Sequence, residues 1–183
     1  LASFIQKRKK LSQSLTRFYA KEIINVLQYF RKHNIVHRDM KPENILIDAD
    51  FHWKVSDFGS AKIIDPNKVN KELEQVNFDM KRDEDSSEEI EHTPSFELDS
   101  MDEHNLDYQP ERPNTFVGTP LYVSPEMLVH NIACFGSDLW GLGCIIYQCL
   151  TGVPPFRGDV ESAVFDRILE GNLDFPPDMD LDA

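Results

Sequence analysis

The chain has 183 residues, 40% of them hydrophobic, so it is long enough to bury one sizeable core. Its formal net charge of −13 argues against a nucleic-acid partner. The longest apolar run, residues 139–150, is about twelve residues long, which is typical of a buried helix and too short to span a membrane. We expect no signal peptide and no other membrane-binding feature in this segment, and any lipid-binding domain would lie elsewhere in the parent protein.

The acidity lies almost wholly in residues 65–112. This segment has sixteen acidic and five basic side chains, a net of −11, whereas the rest of the chain has sixteen acidic and fourteen basic ones, a net of −2. It has few aromatic residues and no sustained periodicity, so we expect an acidic disordered insertion. The insertion is either a passive spacer or a segment that competes for a cationic loop or docks a basic partner.

The first third of the chain has two predicted helices and two predicted strands. A short helix is expected over residues 2–8. Apolar residues then recur at steps of three and four, which predicts an amphipathic helix over residues 14–33. Residues 44–47 and 52–55 have the pattern of two short strands joined by a polar turn.

The last third of the chain is predicted to be helical. An apolar core helix begins at Gly136 or Ser137 and ends at Thr151, shortly before two prolines. A second amphipathic helix is expected over residues 159–170. Its inner face is predicted to contain Val160, Val164, Ile168 and Leu169.

The three cysteines, Cys134, Cys144 and Cys149, contain no C-x-x-C pair. Cys144 and Cys149 lie in the predicted core helix, which favours buried, reduced thiols over ligands or disulfides. Reduced structural thiols indicate a cytoplasmic compartment.

Three short motifs suggest phosphoryl transfer. Residues 37–44 have the sequence HRDMKPEN, residues 57–59 are DFG, and residues 124–126 are SPE. Phosphoryl transfer needs a carboxylate that accepts a hydroxyl proton, oxygen ligands for magnesium, and cations that absorb the developing charge. The motifs contain these residue types in the order and at the spacing that the reaction requires.

With these motifs, the runs RFYAKEI (17–23), NTFVGT (114–119), YVSPE (122–126) and SDLWGLGCIIYQ (137–148) resemble the large lobe of eukaryotic Ser/Thr protein kinases. The similarity is greatest to the AGC group and, within it, to the phosphoinositide-dependent protein kinases. The resemblance covers residues 1 to about 64 and about 113 to 178. It implies a mostly α fold with a small β element, namely a protein-kinase-like C-terminal lobe.

The resemblance also implies an N-terminal lobe with a glycine-rich phosphate loop, which is absent from this chain. We therefore expect residues 1–183 to be a partial kinase domain that is inactive alone. The number of residues between Asp57 and Glu126 is about twice the number usual in the family, and residues 65–112 account for the extra length.

Four residues are candidates for the chemistry. Asp39 is the expected proton acceptor, and Lys41 is expected to steady the γ-phosphate of ATP. Asn44 and Asp57 are the expected ligands of Mg²⁺, because both offer hard oxygen atoms. The implied cofactors are ATP and Mg²⁺.

Five further residues have roles that the resemblance implies. Glu43 reaches the ribose of the nucleotide or basic substrate residues, unless it is only a solvated loop carboxylate. Leu46 resembles the apolar floor of the adenine pocket. His37 and Asp138 brace the backbone of the catalytic loop. Glu126 pairs with an arginine that lies beyond Ala183, so we expect an unpaired carboxylate and poor stability of this chain alone.

Regulation is predicted at Thr115, which resembles the activation-loop phosphosite of the family. A phosphate there would pair with Arg38, with Lys62 as a second donor. Thr119 is expected to line the pocket for the acceptor hydroxyl.

Three functions remain open from the sequence. The first is a Ser/Thr kinase that phosphorylates the activation loops of other AGC kinases and is recruited from the cytoplasm to the plasma membrane through other domains. The second is another AGC-type kinase with different protein substrates. The third is a pseudokinase scaffold that binds partners through the acidic insertion.

Overall fold

The computed structural model describes the backbone of residues 1–85 and 120–176, and the side chains of residues 1–76 and 120–176. This part of the chain is mostly helical, and its strands are only two or three residues long. Its α-helices are α1 (Ala2–Arg8), α2 (Gln13–Lys32), α3 (Pro66–Asp85), α4 (Pro125–His130), α5 (Phe135–Thr151) and α6 (Glu161–Glu170). Its strands are β1 (Ile35–Val36), β2 (Ile45–Ile47), β3 (Trp53–Val55) and β4 (Lys62–Ile63).

Helices α2 and α5 pack together and form the centre of the molecule. Ser12 caps the start of α2, since its hydroxyl accepts the backbone N–H of Leu15 at 3.4 Å. The side chains of α2 that face inward are spaced by three or four residues, so they form one buried stripe. That stripe consists of Thr16, Tyr19, Ile23, Leu27 and Phe30.

The main hydrophobic core contains most of the buried stripe of α2. Helix α5 contributes Leu142, Ile145 and Cys149 to the same core. Burial raises the pKa of both Cys144 and Cys149 to about 12. Both thiols are therefore neutral near pH 7, as the sequence predicts for buried structural cysteines.

Two antiparallel strand pairs lie beside the main core. Strand β2 pairs with β3, and the turn between them is closed by Asp48, whose Oδ1 accepts the N–H groups of Asp50 and His52. Strand β1 pairs with β4. The segment between β1 and β2 holds the HRD motif, and the segment between β3 and β4 holds the DFG motif. The two strand pairs therefore bring these motifs together.

A second hydrophobic cluster contains Cys144, Phe156, Val164 and Ile168. It connects α5 to α6. Trp140 packs against this cluster, and its ring stacks on that of Phe156 with the ring centroids 5.4 Å apart. The sequence correctly predicts Val164 and Ile168 as inner residues of α6. Its prediction for Val160 and Leu169 is wrong, because these side chains are 60% and 51% exposed.

The predicted disorder of residues 65–112 is wrong for their first part, since Pro66–Asp85 form α3. Asp65 begins this helix by accepting the N–H of Asn67 at 3.0 Å, and Pro66 suits the first helical position. Lys68 and Glu72 face each other one turn apart, with their charged atoms at 3.8 Å. These local helix signals outweigh the acidic composition. Residues 86–112 lie outside the described residues.

None of the helices in the described part of the chain has both the length and the apolar composition needed to span a membrane.

Candidate active site

Asp138 holds the backbone of the loop that begins with the HRD motif. Its Oδ2 accepts the N–H of His37 at 2.8 Å, and its Oδ1 accepts the N–H of Arg38 at 2.9 Å. Burial raises the pKa of this carboxyl, and the two hydrogen bonds oppose that effect. The position of Asp138 in the first turn of α5 also favours a negative charge. The bonds hold Arg38 at a φ of 68°, which is rare for a residue with a Cβ atom.

Asp39 is the point at which polar groups of this loop converge. The ammonium of Lys41 lies 2.7 Å from Asp39 Oδ2. The amide nitrogen of Asn44 donates to the same oxygen and to the backbone carbonyl of Asp39, at 2.8 Å each. Two donors therefore fix the carboxylate, which is one-third exposed and can still meet a substrate.

Ser56 links the DFG motif to the HRD loop. Its N–H and its hydroxyl both donate to the carbonyl of Asn44, at 2.8 and 2.9 Å. Its own carbonyl lies 3.0 Å from Nε2 of His37, which is fully buried. The next residue, Asp57, has a φ of 61° that turns the chain sharply at this point. The geometry thus places Asp57 close to Asn44 in the fold.

The donor atoms of this site fit Mg²⁺. Both hydrogens of the Asn44 amide are engaged by Asp39, which leaves the Asn44 amide oxygen as the free atom. Asp57 is exposed and accepts one hydrogen bond, from the N–H of Gly59 at 3.3 Å. Within residues 1–76 and 120–176, no group of three or more His, Cys, Asp or Glu residues could hold a metal by itself. A pair of oxygen ligands suits Mg²⁺, which is commonly held by few protein groups together with substrate phosphates.

The other predicted residues of the loop lie around this centre. Glu43 and Leu46 are exposed, and Leu46 has 55% of its surface accessible. Arg38 donates from Nε to the carbonyl of Ser60, just after the DFG motif. Lys62 is exposed on β4, opposite Val36 of β1.

Two predicted site residues, Thr115 and Thr119, lie outside the described residues.

Comparison with known proteins decides the family. The model of the protein kinase domain matches residues 1–79 and 102–179. The chain belongs to the protein kinase domain family.

Relatives of this kinase domain include human 3-phosphoinositide-dependent protein kinase 1, 38% identical over 176 residues, which are 96% of this chain and 24% of the relative. The Caenorhabditis elegans protein of the same name is 41% identical over 162 residues, or 88% of this chain and 25% of the relative. Serine/threonine-protein kinase PDK1 of Cryptococcus neoformans is 36% identical over all 183 residues, 12% of its own length. The chain therefore spans a quarter or less of these relatives.

The expectation for Glu126 is wrong in one respect. We expected an unpaired carboxylate in this kinase domain, but Glu126 Oε1 accepts the hydroxyl of Ser137 at 2.6 Å. The thiol of Cys134 lies 3.5 Å from the same oxygen. Glu126 is also partly exposed, so water reaches it. Its carboxylate does not have the cost of an isolated buried charge.

Several groups that support the site were not found from the sequence. Ser56 has no motif signal, because a lone serine is common at any position. Ser137 belongs to the run over residues 137–148, but that run does not indicate its hydrogen bond to Glu126. Gly141 of α5 touches the backbone of Met40: a Cβ added there would lie 2.7 Å from the Met40 Cβ and 2.9 Å from its carbonyl oxygen. The glycine-rich apolar run of α5 was the only available signal for this close approach.

Proposed function

We propose that this domain performs the phosphoryl-transfer step of a Ser/Thr protein kinase. The observation that carries the proposal is the convergence of Lys41 and Asn44 on Asp39 Oδ2, at 2.7 and 2.8 Å. One oxygen of Asp39 is thus held by two donors, so the carboxylate has a fixed direction. A fixed carboxylate beside a cation suits the removal of a proton from an alcohol.

In the proposed reaction, Asp39 hydrogen-bonds the hydroxyl of a protein Ser or Thr and orients its oxygen for in-line attack on the γ-phosphorus of ATP. The new phosphorus–oxygen bond forms as the bond to the leaving ADP oxygen breaks, and Asp39 takes the hydroxyl proton. Lys41 lies beside the reacting groups, where its positive charge stabilises the charge that spreads over the phosphoryl oxygens.

Asn44 and Asp57 are the residues that we propose hold Mg²⁺. The bound metal would neutralise phosphate charge and orient the nucleotide. Ser56 keeps the two ligands in register through its bonds to the Asn44 carbonyl. Leu46 and Glu43 are both exposed. We propose that Leu46 would contact the adenine and that the Glu43 carboxylate would bind the ribose or a basic substrate residue.

We propose that the substrates are the activation loops of other AGC kinases. The relatives at 36–41% identity are named as phosphoinositide-dependent or Ser/Thr protein kinases, which supports a protein Ser or Thr as the acceptor. The choice of activation loops follows from the family resemblance of the sequence motifs. We also assign the domain to the C-terminal lobe of a kinase in the cytoplasm, recruited to the plasma membrane through other domains. The reduced, buried cysteines are consistent with that compartment.

Regulation through Thr115 is part of the proposal. A phosphate on Thr115 would compete with the Ser60 carbonyl for the guanidinium of Arg38. Lys62, on the strand beside the HRD loop, would be a second donor. Thr119 would line the pocket for the acceptor hydroxyl.

The test is a kinase assay on the full-length parent protein with Mg²⁺ and ATP. The acceptor is a peptide from the activation loop of an AGC kinase, and Asp39→Asn is the inactive variant. We expect Asp39→Asn to lower kcat by about 10²–10⁴-fold, the usual contribution of a positioned base. An exposed carboxylate of the same chain, Asp159→Asn, is the matched control and should be unaffected.

Phosphate transfer only to a generic basic peptide would support the assignment as a kinase and reject activation loops as the substrate class. Full activity in Asp39→Asn would contradict the assignment of the base.

A further inference from the structure

The beginning of the chain is strongly basic. Residues 1–21 contain six cationic side chains and no acidic one, whereas residues 22–183 contain thirteen basic and thirty-two acidic ones, a net of −19. The first acidic residue is Glu22. All six cations are exposed, and they are Lys7, Arg8, Lys9, Lys10, Arg17 and Lys21. We call residues 7–10 the basic turn.

The basic turn is fixed to the core. Ile5 before it and Leu11 after it are buried, with 2% and 6% of their surfaces exposed. The N–H of Leu11 donates to the carbonyl of Cys149 at 2.7 Å. Gly152 approaches so closely that a Cβ there would lie 2.1 Å from the Lys9 carbonyl oxygen. The backbone of the turn is therefore ordered before any partner binds, which lowers the entropy lost on binding.

The charges of Lys7, Arg8 and Lys9 are not neutralised by carboxylates of the described residues. For Lys7, Arg8 and Lys9, no carboxylate of the described residues lies within ion-pair distance, and Arg8 lies over the Phe4 ring at 5.5 Å. Lys7 and Arg8 complement the carboxyl end of α1, as basic residues often do. That explanation does not extend to Lys9, because this residue lies after the last residue of α1 and has a backbone φ of 65°.

The surface around the turn distinguishes among anionic partners. The apolar residues next to the turn in the sequence, Ile5 and Leu11, are buried, and the first exposed large hydrophobic side chain of the described residues is Phe18. The turn and its sequence neighbours therefore supply no apolar anchor for insertion into a bilayer. The net charge of −19 on residues 22–183 would repel a long nucleic-acid backbone. A short acidic stretch of a protein spans little more than the turn, so it meets less of this repulsion than a long polyanion does.

We propose that the basic turn is a docking site for an acidic stretch of a protein substrate, outside the acceptor sequence itself. Carboxylates of that stretch would pair with Lys7, Arg8 and Lys9. This proposal rests on the proposed kinase function for its biological meaning, but the binding itself does not require catalysis.

The test uses the full-length kinase without nucleotide and a fluorescent peptide of about eight glutamates, long enough to cross the turn in extended form. Binding is measured by anisotropy for the wild type and for Lys7→Gln/Arg8→Gln/Lys9→Gln. The matched control, Lys32→Gln/Arg157→Gln/Arg167→Gln, removes three exposed cations elsewhere. We expect the first variant to bind about fivefold more weakly, as two or three exposed ion pairs would allow, and the control to match the wild type. Added salt should erase the difference.

A second measurement separates this proposal from the kinase function. The KM of an acceptor peptide joined to the glutamate run should be lower than that of the same acceptor joined to a glutamine run, and only the basic-turn variant should lose this difference. The basic-turn variant could lose peptide binding while the wild type transfers phosphate to no acceptor. That result would reject the kinase function and keep the docking site.

Equal glutamate binding by the variant and the wild type would overturn the docking site. Binding to phosphatidylserine vesicles is measured on the same two proteins. A variant that loses only vesicle binding would also overturn the docking site, since a membrane would then be the partner. Circular dichroism and thermal unfolding of the variant must match the wild type, and single Gln substitutions replace the triple variant if they do not.

Discussion

Asp138 connects two parts of the chain that are about a hundred residues apart. Its carboxylate accepts the N–H groups of His37 and Arg38, separated from it by 101 and 100 positions. It is only 3% exposed, so these two N–H groups have little access to water. The carboxylate keeps them satisfied and holds Arg38 in a conformation that it would rarely adopt alone.

We expect Asp138→Ala to destabilise the protein by about 3 kcal/mol, because it leaves one buried and one partly buried N–H donor without an acceptor. The HRD loop should also lose its fixed geometry, so kcat should fall more than the stability loss explains. Chemical unfolding and steady-state kinetics on the same samples measure both effects. Asp159→Ala removes an exposed carboxylate and should change neither. A stable Asp138→Ala enzyme with normal kcat would contradict the bracing role.

Helix α5 supports the catalytic loop through direct contact at Gly141. The Met40 backbone lies against this glycine, and Met40 is the neighbour of Asp39. A side chain at position 141 would overlap Met40 atoms that cannot rotate away, since they belong to the Cβ and the carbonyl. The helix and the loop would therefore have to separate.

We expect Gly141→Ala to reduce kcat at least tenfold, because a shift of the loop by a fraction of an ångström misaligns Asp39. Gly143→Ala is the matched control on the same helix, since an added Cβ there meets nothing within 4 Å. The control should be as active as the wild type and more stable by about 0.5–1 kcal/mol, because alanine is the better helix former. Kinetics and thermal unfolding of both variants provide the comparison. Equal kcat in the two variants would show that the contact does not position the loop.

The length of an element affects how well its sequence predicts it, although the short α1, β2 and β3 were also found, the two strands through the polar turn between them. Helices α2 and α5 are long and periodic, and their bounds follow from the residues alone. Strands β1 and β4 have two residues each, and α4 has six, which is too short for any period to be visible. These elements exist because distant segments pair with them. Helix α3 was missed for a different reason, since the acidity of the whole segment obscured the local signals at Asp65, Pro66 and Lys68.

The same distinction applies to the site. Asp39, Lys41 and Asn44 lie within six consecutive residues, so a motif contains them and their contacts are local. The partners that hold this loop come from far along the chain, as Asp138, Ser56 and Gly141 do. Asp138 was found only through the family resemblance, and the sequence alone contains no signal for Ser56.

The whole molecule is organised around α5, which contributes to both hydrophobic clusters. Ile145 and Cys149 belong to the main core, and Cys144 belongs to the second cluster under α6. Because neighbouring residues of one helix serve both clusters, neither can lose its packing without disturbing the other. We therefore expect the described parts of the chain to unfold together.

Val164→Ala tests this cooperativity. Val164 is 2% exposed in the second cluster, and the loss of its methyl groups should cost about 2 kcal/mol. In one cooperative unit, hydrogen exchange under mild denaturant should accelerate in α2 as much as in α6, although α2 is remote from the substitution. Leu169→Ala is the control in the same helix, and its half-exposed side chain should leave both rates nearly unchanged. Faster exchange confined to α6 would mean that the second cluster opens alone, and that α5 does not couple the two clusters.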